Sequence, residues 1–263
     1  MMSGEQFVKD ILKRGRYSFT IEEAAEKLNK RGPSLVLALQ RLKQAGWVAP
    51  FSRGFYLALD VQHQDGRMMD PAWFIDDWAK HMRAEYYVGG LSAAALHGAT
   101  HQQSMQFQVF LSRQIRPVKK GWIQLATFYK NPIPQKWIER RKSPAGYYQA
   151  SVPEMTAYDC IAYPRCCPSL DHAATVIVKL GEAIHAERLA ELPSAGCSMA
   201  ALQRLGWLLE RVGWSERSEK LHKVLRAMKL NWAPLESRLP RSGERNDRWR
   251  IIENTDVQPD IER

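Results

Sequence analysis

Apolar residues recur at helical spacing three times within the first 46 positions of the chain. Phe7, Val8, Ile11 and Leu12 predict a short helix over residues 6–12, with Gly15 as its stop. Thr20 stands three residues before Glu23, the spacing of a capping box, so a second helix is expected over residues 21–30 with Ile21, Ala24, Ala25 and Leu28 as its apolar stripe. Arg31-Gly32 breaks that helix, and Pro33 suits the first turn of a third, where Leu35, Leu39 and Leu42 share one face up to Gly46. The period then changes: residues 47–51 and 55–59 are β-prone and flank Ser52-Arg53-Gly54, which predicts a hairpin. Three short helices, a tight turn between the second and third, and a hairpin make a winged helix-turn-helix, whose third helix enters a major groove.

Further along, Asp70-Pro71 reads as an N-cap and first helical position, opening a helix that runs to residue 84. A strand over residues 86–88 turns at Gly89-Gly90 into a small-residue helix that Gly98 ends. Residues 106–111, 122–130 and 146–150 read as strands of a small sheet. From Val152 the pattern is helical, over residues 153–162, 169–185, 198–212 and 215–228, with a late strand at residues 249–252. The expected fold class is α+β: a winged helix-turn-helix over residues 1–60, then a larger mixed α/β domain over residues 61–263. That domain comprises a basic sheet region (86–150), a helical region (151–232) and a carboxyl-terminal strand and tail (233–263).

A length of 263 residues suits two domains, and 45% apolar residues exclude a mainly disordered or fibrous chain. Charge adds more: 38 Lys+Arg against 28 Asp+Glu give +10, which points to an anionic partner, nucleic acid first. The whole excess lies in the first 150 residues, since residues 151–263 hold 16 basic and 16 acidic side chains. No apolar run is long enough for a membrane span and no basic flank leads into an apolar leader, so a soluble, non-exported protein is expected. Cys160, Cys166, Cys167 and Cys197 lack paired C-x-x-C spacing, which suits free thiols in a reducing cytoplasm.

On the third helix, steps of about 100° place Ser34, Leu37, Gln40, Arg41 and Gln44 opposite the leucine stripe. Arg41 can pair with guanine, Gln40 or Gln44 with adenine, and Leu37 can touch a thymine methyl, while Arg53 at the hairpin tip would meet phosphate or the minor groove. A winged helix used only for protein contact is the alternative. Arg113, Arg116, Lys119, Lys120, Lys130, Lys136, Arg140, Arg141 and Lys142 form a basic run interrupted by Glu139 alone and interleaved with Trp122, Phe128, Tyr129 and Trp137. Placed in loops and hairpin ends, these cations would converge on a DNA backbone; a merely solvated basic surface is the alternative.

Catalytic signals are weak. Asp76 and Asp77 diverge by about 100° on a helix and read as solvated charges rather than a metal or acid/base pair. Ser92 lacks the flanking glycines of a nucleophile elbow, the Gly-Gly segment has no Gly-Lys-Ser/Thr, and Gly98 interrupts the helix between His97 and His101. No cofactor or metal is expected, and no enzymatic activity.

A winged helix closing on Arg53-Gly54-Phe55-Tyr56, then Tyr86-Tyr87-Val88-Gly89-Gly90-Leu91-Ser92-Ala93-Ala94-Ala95-Leu96-His97-Gly98, then Pro234-Leu235, Leu239-Pro240 and Arg248-Trp249-Arg250-Ile251-Ile252, resembles the AbiEi family of antitoxins over nearly the whole chain. The resemblance implies a bacterial cytoplasmic antitoxin of a type IV toxin–antitoxin system, encoded beside a nucleotidyltransferase-like AbiEii toxin. Its amino-terminal domain would repress its own operon by binding inverted repeats in double-stranded operator DNA. Its carboxyl-terminal domain would neutralise the toxin indirectly, without a stable complex, and the chain would be a monomer in solution. The family's basic carboxyl-terminal surface would correspond to residues 113–142. Two other readings stay open: a winged-helix regulator with a ligand-sensing second domain, and a nucleic-acid-processing enzyme, against which residues 86–150 hold a single acid, Glu139.

Overall fold

The computed structural model describes residues 2–60, 63, 69–100 and 106–260; His101 and its spacing to His97 therefore lie outside the described residues. The architecture is α+β. The chain divides into two compact units: Met1–Tyr87, Met105–Ile133 and Glu139–Ala150 make the first, and Val88–Ser104, Pro134–Ile138 and Ser151–Arg263 the second.

The first unit opens with α1 (Gly4–Lys13), which Ser3 caps by accepting from the Gln6 N–H, then β1 (Ser18–Thr20) and α2 (Ile21–Leu28). Thr20 and Glu23 close the expected capping box: Thr20 Oγ1 accepts from the Glu23 N–H at 3.3 Å and Glu23 Oε2 from the Thr20 N–H at 2.8 Å. Asn29 in the left-handed region (φ 51°) turns the chain into α3 (Gly32–Gln44). β2 (Val48–Ser52) and β3 (Phe55–Ala58) follow, and β1, unforeseen in the sequence, pairs antiparallel with β3 to give a sheet of order β1-β3-β2. Its apolar sides meet Phe7, Val8, Ile11, Leu28, Leu35, Leu39 and Leu42 in one core.

The divide anticipated at residue 60 falls inside this unit. The single helix expected from Pro71 is a 3-10 turn, Pro71–Trp73, and then α4 (Ile75–His81); Phe74 leaves the helical region between them (φ −133°) and buries its ring against Phe51 at 4.9 Å. Trp78 Nε1 donates to Ser52 Oγ at 3.1 Å, and Ser18 Oγ donates to Asp77 at 2.9 Å. Periodicity reports the apolar side of each element, not the element that covers it, so this packing left no trace in the pattern.

The rest of the first unit is most of a six-stranded sheet of order β6-β7-β5-β4-β9-β8. Its strands are β4 (Tyr86–Val88), β5 (Phe107–Leu111), β6 (Val118–Lys120), β7 (Ile123–Tyr129), β8 (Ile138–Ser143) and β9 (Gly146–Ser151). β5 and β7 run parallel, and β6 is antiparallel to β7. The two strands that the hydrophobic pattern missed, β6 and β8, are the edges; edge strands carry charges on both sides and show no apolar alternation.

In the second unit, α5 (Gly90–Leu96) and α6 (Pro153–Ala162) precede α7 (Leu170–Leu180), α8 (Ala186–Glu191), α9 (Met199–Arg211) and α10 (Ser215–Arg226). The helix expected over residues 169–185 ends at Leu180; Trp214 fills the space a side chain at Gly181 would need, its Nε1 donating to the Val178 carbonyl at 3.0 Å. A small sheet, β10 (Ala233–Pro234), β12 (Ile251–Glu253) and β11 (Glu244–Asn246) in that spatial order, closes the unit. Buried Gln203 on α9 ties it down, its amide donating to the carbonyls of Asn231, Trp249 and Arg250 at 2.9–3.1 Å.

Candidate nucleic-acid interface

Leu35, Leu39 and Leu42 are buried at 4–5% exposure and fix the rotation of α3. Ser34, Leu37, Gln40, Arg41 and Gln44 are thereby all turned to solvent on one side. Ser34 Oγ is engaged locally, donating to the Arg31 carbonyl at 2.8 Å. Gln40, Arg41 and Gln44 have no hydrogen-bond or ion-pair partner among the described residues, so their donors and acceptors are available. The sequence reading missed Val36 and Lys43 on the flank of the same exposed arc; Val36 at 50% and Leu37 at 48% exposure give it an apolar element.

The β2–β3 turn is held from behind. Gly54 supplies its left-handed backbone (φ 73°) and its carbonyl accepts from the Ile21 N–H at 2.8 Å, while the Arg53 carbonyl lies 3.0 Å from His81 Nε2. With its backbone so anchored, Arg53 presents an exposed side chain.

The nine cations of residues 113–142 do not converge. Lys119 and Lys120 lie on β6 and Arg140, Arg141 and Lys142 on β8, opposite edges of a six-stranded sheet; five spacings of about 4.8 Å separate them by roughly 24 Å. Several are already engaged: Arg113 donates to the Met82 carbonyl at 2.9 Å, Lys130 stands over the Tyr87 and Phe110 rings, and Arg140 lies 4.4 Å from the Tyr147 ring centroid. Arg141 pairs with Glu139 at 2.6 Å, and Lys136 pairs with Glu191. Arg116, Lys119, Lys120 and Lys142 are exposed and have no such partner among the described residues. The expected continuous strip is therefore two separate edges, because a run along the sequence that crosses a sheet is distributed over its width.

Asp76 and Asp77 are connectors rather than free solvated charges. Asp76 accepts from the Tyr86 hydroxyl at 3.1 Å and pairs with Lys80 at 2.6 Å; Asp77 accepts from Ser18 and lies 3.7 Å from Arg16. Burial and the Asp76 carboxylate push the Tyr86 phenol far above its ordinary range. Burial raises the Glu23 carboxyl, but hydrogen bonds from Arg16 and the Thr20 amide outweigh it and hold Glu23 below its usual value. His97 Nε2 meets the Ser151 carbonyl at 2.9 Å, a packing role. No group of three or more His, Cys, Asp or Glu able to hold a metal occurs among the described residues. The four cysteines are buried and none is in a disulfide among the described residues. A cleft in the second unit, lined by Cys160, Cys167, Arg204 and Arg238 among others, measures about 130 Å³. That is below the several hundred Å³ of an organic-ligand pocket and gives no support to ligand sensing.

Residues 87–211, from β4 to the end of α9, match the family model of the AbiEi antitoxin C-terminal domain. Over these residues the chain is similar to that antitoxin domain, and the match supports an AbiEi-family antitoxin. The matched domain suggests an antitoxin of a toxin–antitoxin system, a regulatory kind of protein. The AbiEi match leaves the first three-stranded sheet with α1–α3, and the last sheet, outside its bounds. In fold the chain is similar to the crystal structure of the RV2827C protein from Mycobacterium tuberculosis, with a TM-score of 0.69 at 17% identity over 94% of this chain and 90% of that one. No curated protein matches the sequence. None of the described helices is long and apolar enough to cross a membrane.

Proposed function

We propose that this protein is a cytoplasmic, non-enzymatic antitoxin of a type IV toxin–antitoxin system that represses its own operon and neutralises a nucleotidyltransferase-like AbiEii toxin. Residues 1–60 act as a winged helix-turn-helix: α3 enters the major groove of an inverted repeat in the operator and the β2–β3 turn is the wing. The observation that carries this reading is the exposed arc of α3, where Gln40, Arg41 and Gln44 stand without partners among the described residues beside apolar Leu37 and Val36. Such a set offers bidentate donors and acceptors for base edges together with a methyl contact. Arg53 supplies a phosphate or minor-groove contact, and Lys142 at the β8 edge a backbone contact that carries no sequence information. Neutralisation is indirect, through the AbiEi domain, and the chain is a monomer away from DNA.

The test is co-expression of the full chain with the product of its adjacent gene while a reporter is driven from the chain's own upstream region. Growth should be restored and the reporter silenced. An Arg41→Ala chain should still restore growth while the reporter rises. Loss of both together would contradict the division of labour, and failure of the unaltered chain to restore growth would overturn the antitoxin assignment.

A further inference from the structure

The β6–β7 hairpin ends in a feature that operator reading does not use. Gly121 and Trp122 form a two-residue connection between Lys120 and Ile123, which face each other in the ladder; Gly121 takes the left-handed backbone (φ 54°) such a turn needs. Trp122 is thereby thrust outward and is 71% exposed, whereas the other eight tryptophans of the chain are buried or half-buried. Its ring and indole N–H have no partner among the described residues. Lys119 and Lys120 precede it on the edge strand and Arg116 stands just before that strand, all exposed and without counter-ions among the described residues. No Asp or Glu occurs from Tyr86 to Ile138. A bare indole with Lys119 and Lys120 just before it, and Arg116 further back along the same edge, matches one chemistry closely: a nucleobase with its phosphates.

We propose that the tip of this hairpin binds single-stranded nucleic acid, with an unpaired base stacked on Trp122 and the neighbouring phosphates held by Arg116, Lys119 and Lys120. A duplex covers both faces of every base with its neighbours, so an indole reaches a free face only where bases are unpaired. A lipid surface is disfavoured, because interfacial anchoring needs a wide apolar face. Trp122 is the one exposed large apolar side chain among the described residues from Leu111 to Phe128.

The full chain is titrated with fluorescent oligo(dT) and oligo(U), with an abasic oligomer of equal length, with a random duplex and with anionic phosphatidylglycerol vesicles. Both pyrimidine oligomers, or one of them, should bind and the abasic backbone should bind much more weakly. Trp122→Ala should lose about 5- to 150-fold in oligomer affinity and Trp122→Phe should recover much of it. Joint replacement of Lys119 and Lys120 by Ala should flatten the slope of log affinity against log salt by about 1.4. Because the indole is largely in water, these variants keep the fold, which circular dichroism checks, and they keep operator binding, so failure here is separable from failure of the operator reading. Unchanged oligomer affinity in folded Trp122→Ala, equal binding of the abasic backbone, binding of duplex or vesicles alone, or no binding at all would each overturn the proposal.

Discussion

In the second unit Arg248 lies between Glu210 and Glu219 at 2.6 Å from each, Lys136 meets Glu191, and Lys220 meets Glu187. In the first, Arg41, Arg53, Arg116, Lys119 and Lys120 stand exposed with no ion-pair partner among the described residues, although Arg16 and Lys80 there are paired. A paired cation must surrender its partner before it can hold a phosphate; an unpaired one keeps its whole attraction for an incoming anion. The sequence excess of +10 includes exposed cations on α3, the β2–β3 turn and the sheet edges that have no ion-pair partner among the described residues. The second unit, with its charges balanced and its buried amide tied to three carbonyls, is built to be self-contained.

The largest expected effect breaks that self-contained unit. A side chain at Gly206 would enter the Trp249 ring, so Gly206→Leu should cost about 1–3 kcal/mol or more through overpacking, read as a lower denaturant midpoint. A midpoint equal to wild type would mean that α9 and Trp249 are not packed as described. Deleting residues 1–60 strikes the first unit comparably: it strips Phe51 from Phe74 and Trp78, so the remainder should bind a hydrophobic dye and aggregate. A soluble, cooperative remainder would restore a divide at residue 60.

Smaller effects sharpen the contrast. Thr20→Ala removes half the capping box and should cost about 0.5–2 kcal/mol, measured by chemical denaturation. Glu23 titrates below its ordinary value when folded, so its contribution is complete above the usual carboxylate range and is lost as pH falls through the lowered value. Arg16→Met should therefore flatten the acid limb of the stability–pH curve; an unaltered limb would deny the pair a role. Least of all, Lys136→Ala should leave the salt dependence of any nucleic-acid binding unchanged, because Glu191 already holds that ammonium.

The helices, the capping box and the exposed face of α3 were legible because each follows from local spacing: Leu35, Leu39 and Leu42 bury one side and so expose the other. The strip of residues 113–142 was misjudged for the converse reason. Adjacency in sequence says nothing of sheet order, and only the order β6-β7-β5-β4-β9-β8 reveals that Lys120 and Arg140 stand at opposite edges. β1 escaped notice because Ser18-Phe19-Thr20 is too short for a period, and the bonds of Asp76 and Asp77 because their partners, Tyr86 and Ser18, lie far along the chain.

The central claim is that α3 reads base sequence, and a titration of the full chain against its own upstream duplex and a random duplex of equal length and salt tests it most directly. The unaltered chain should prefer its own upstream DNA, and Arg41→Ala should lose about 1–3 kcal/mol on that duplex while its affinity for random DNA barely changes. Equal losses on both duplexes, or no preference in the unaltered chain, would contradict sequence reading by α3.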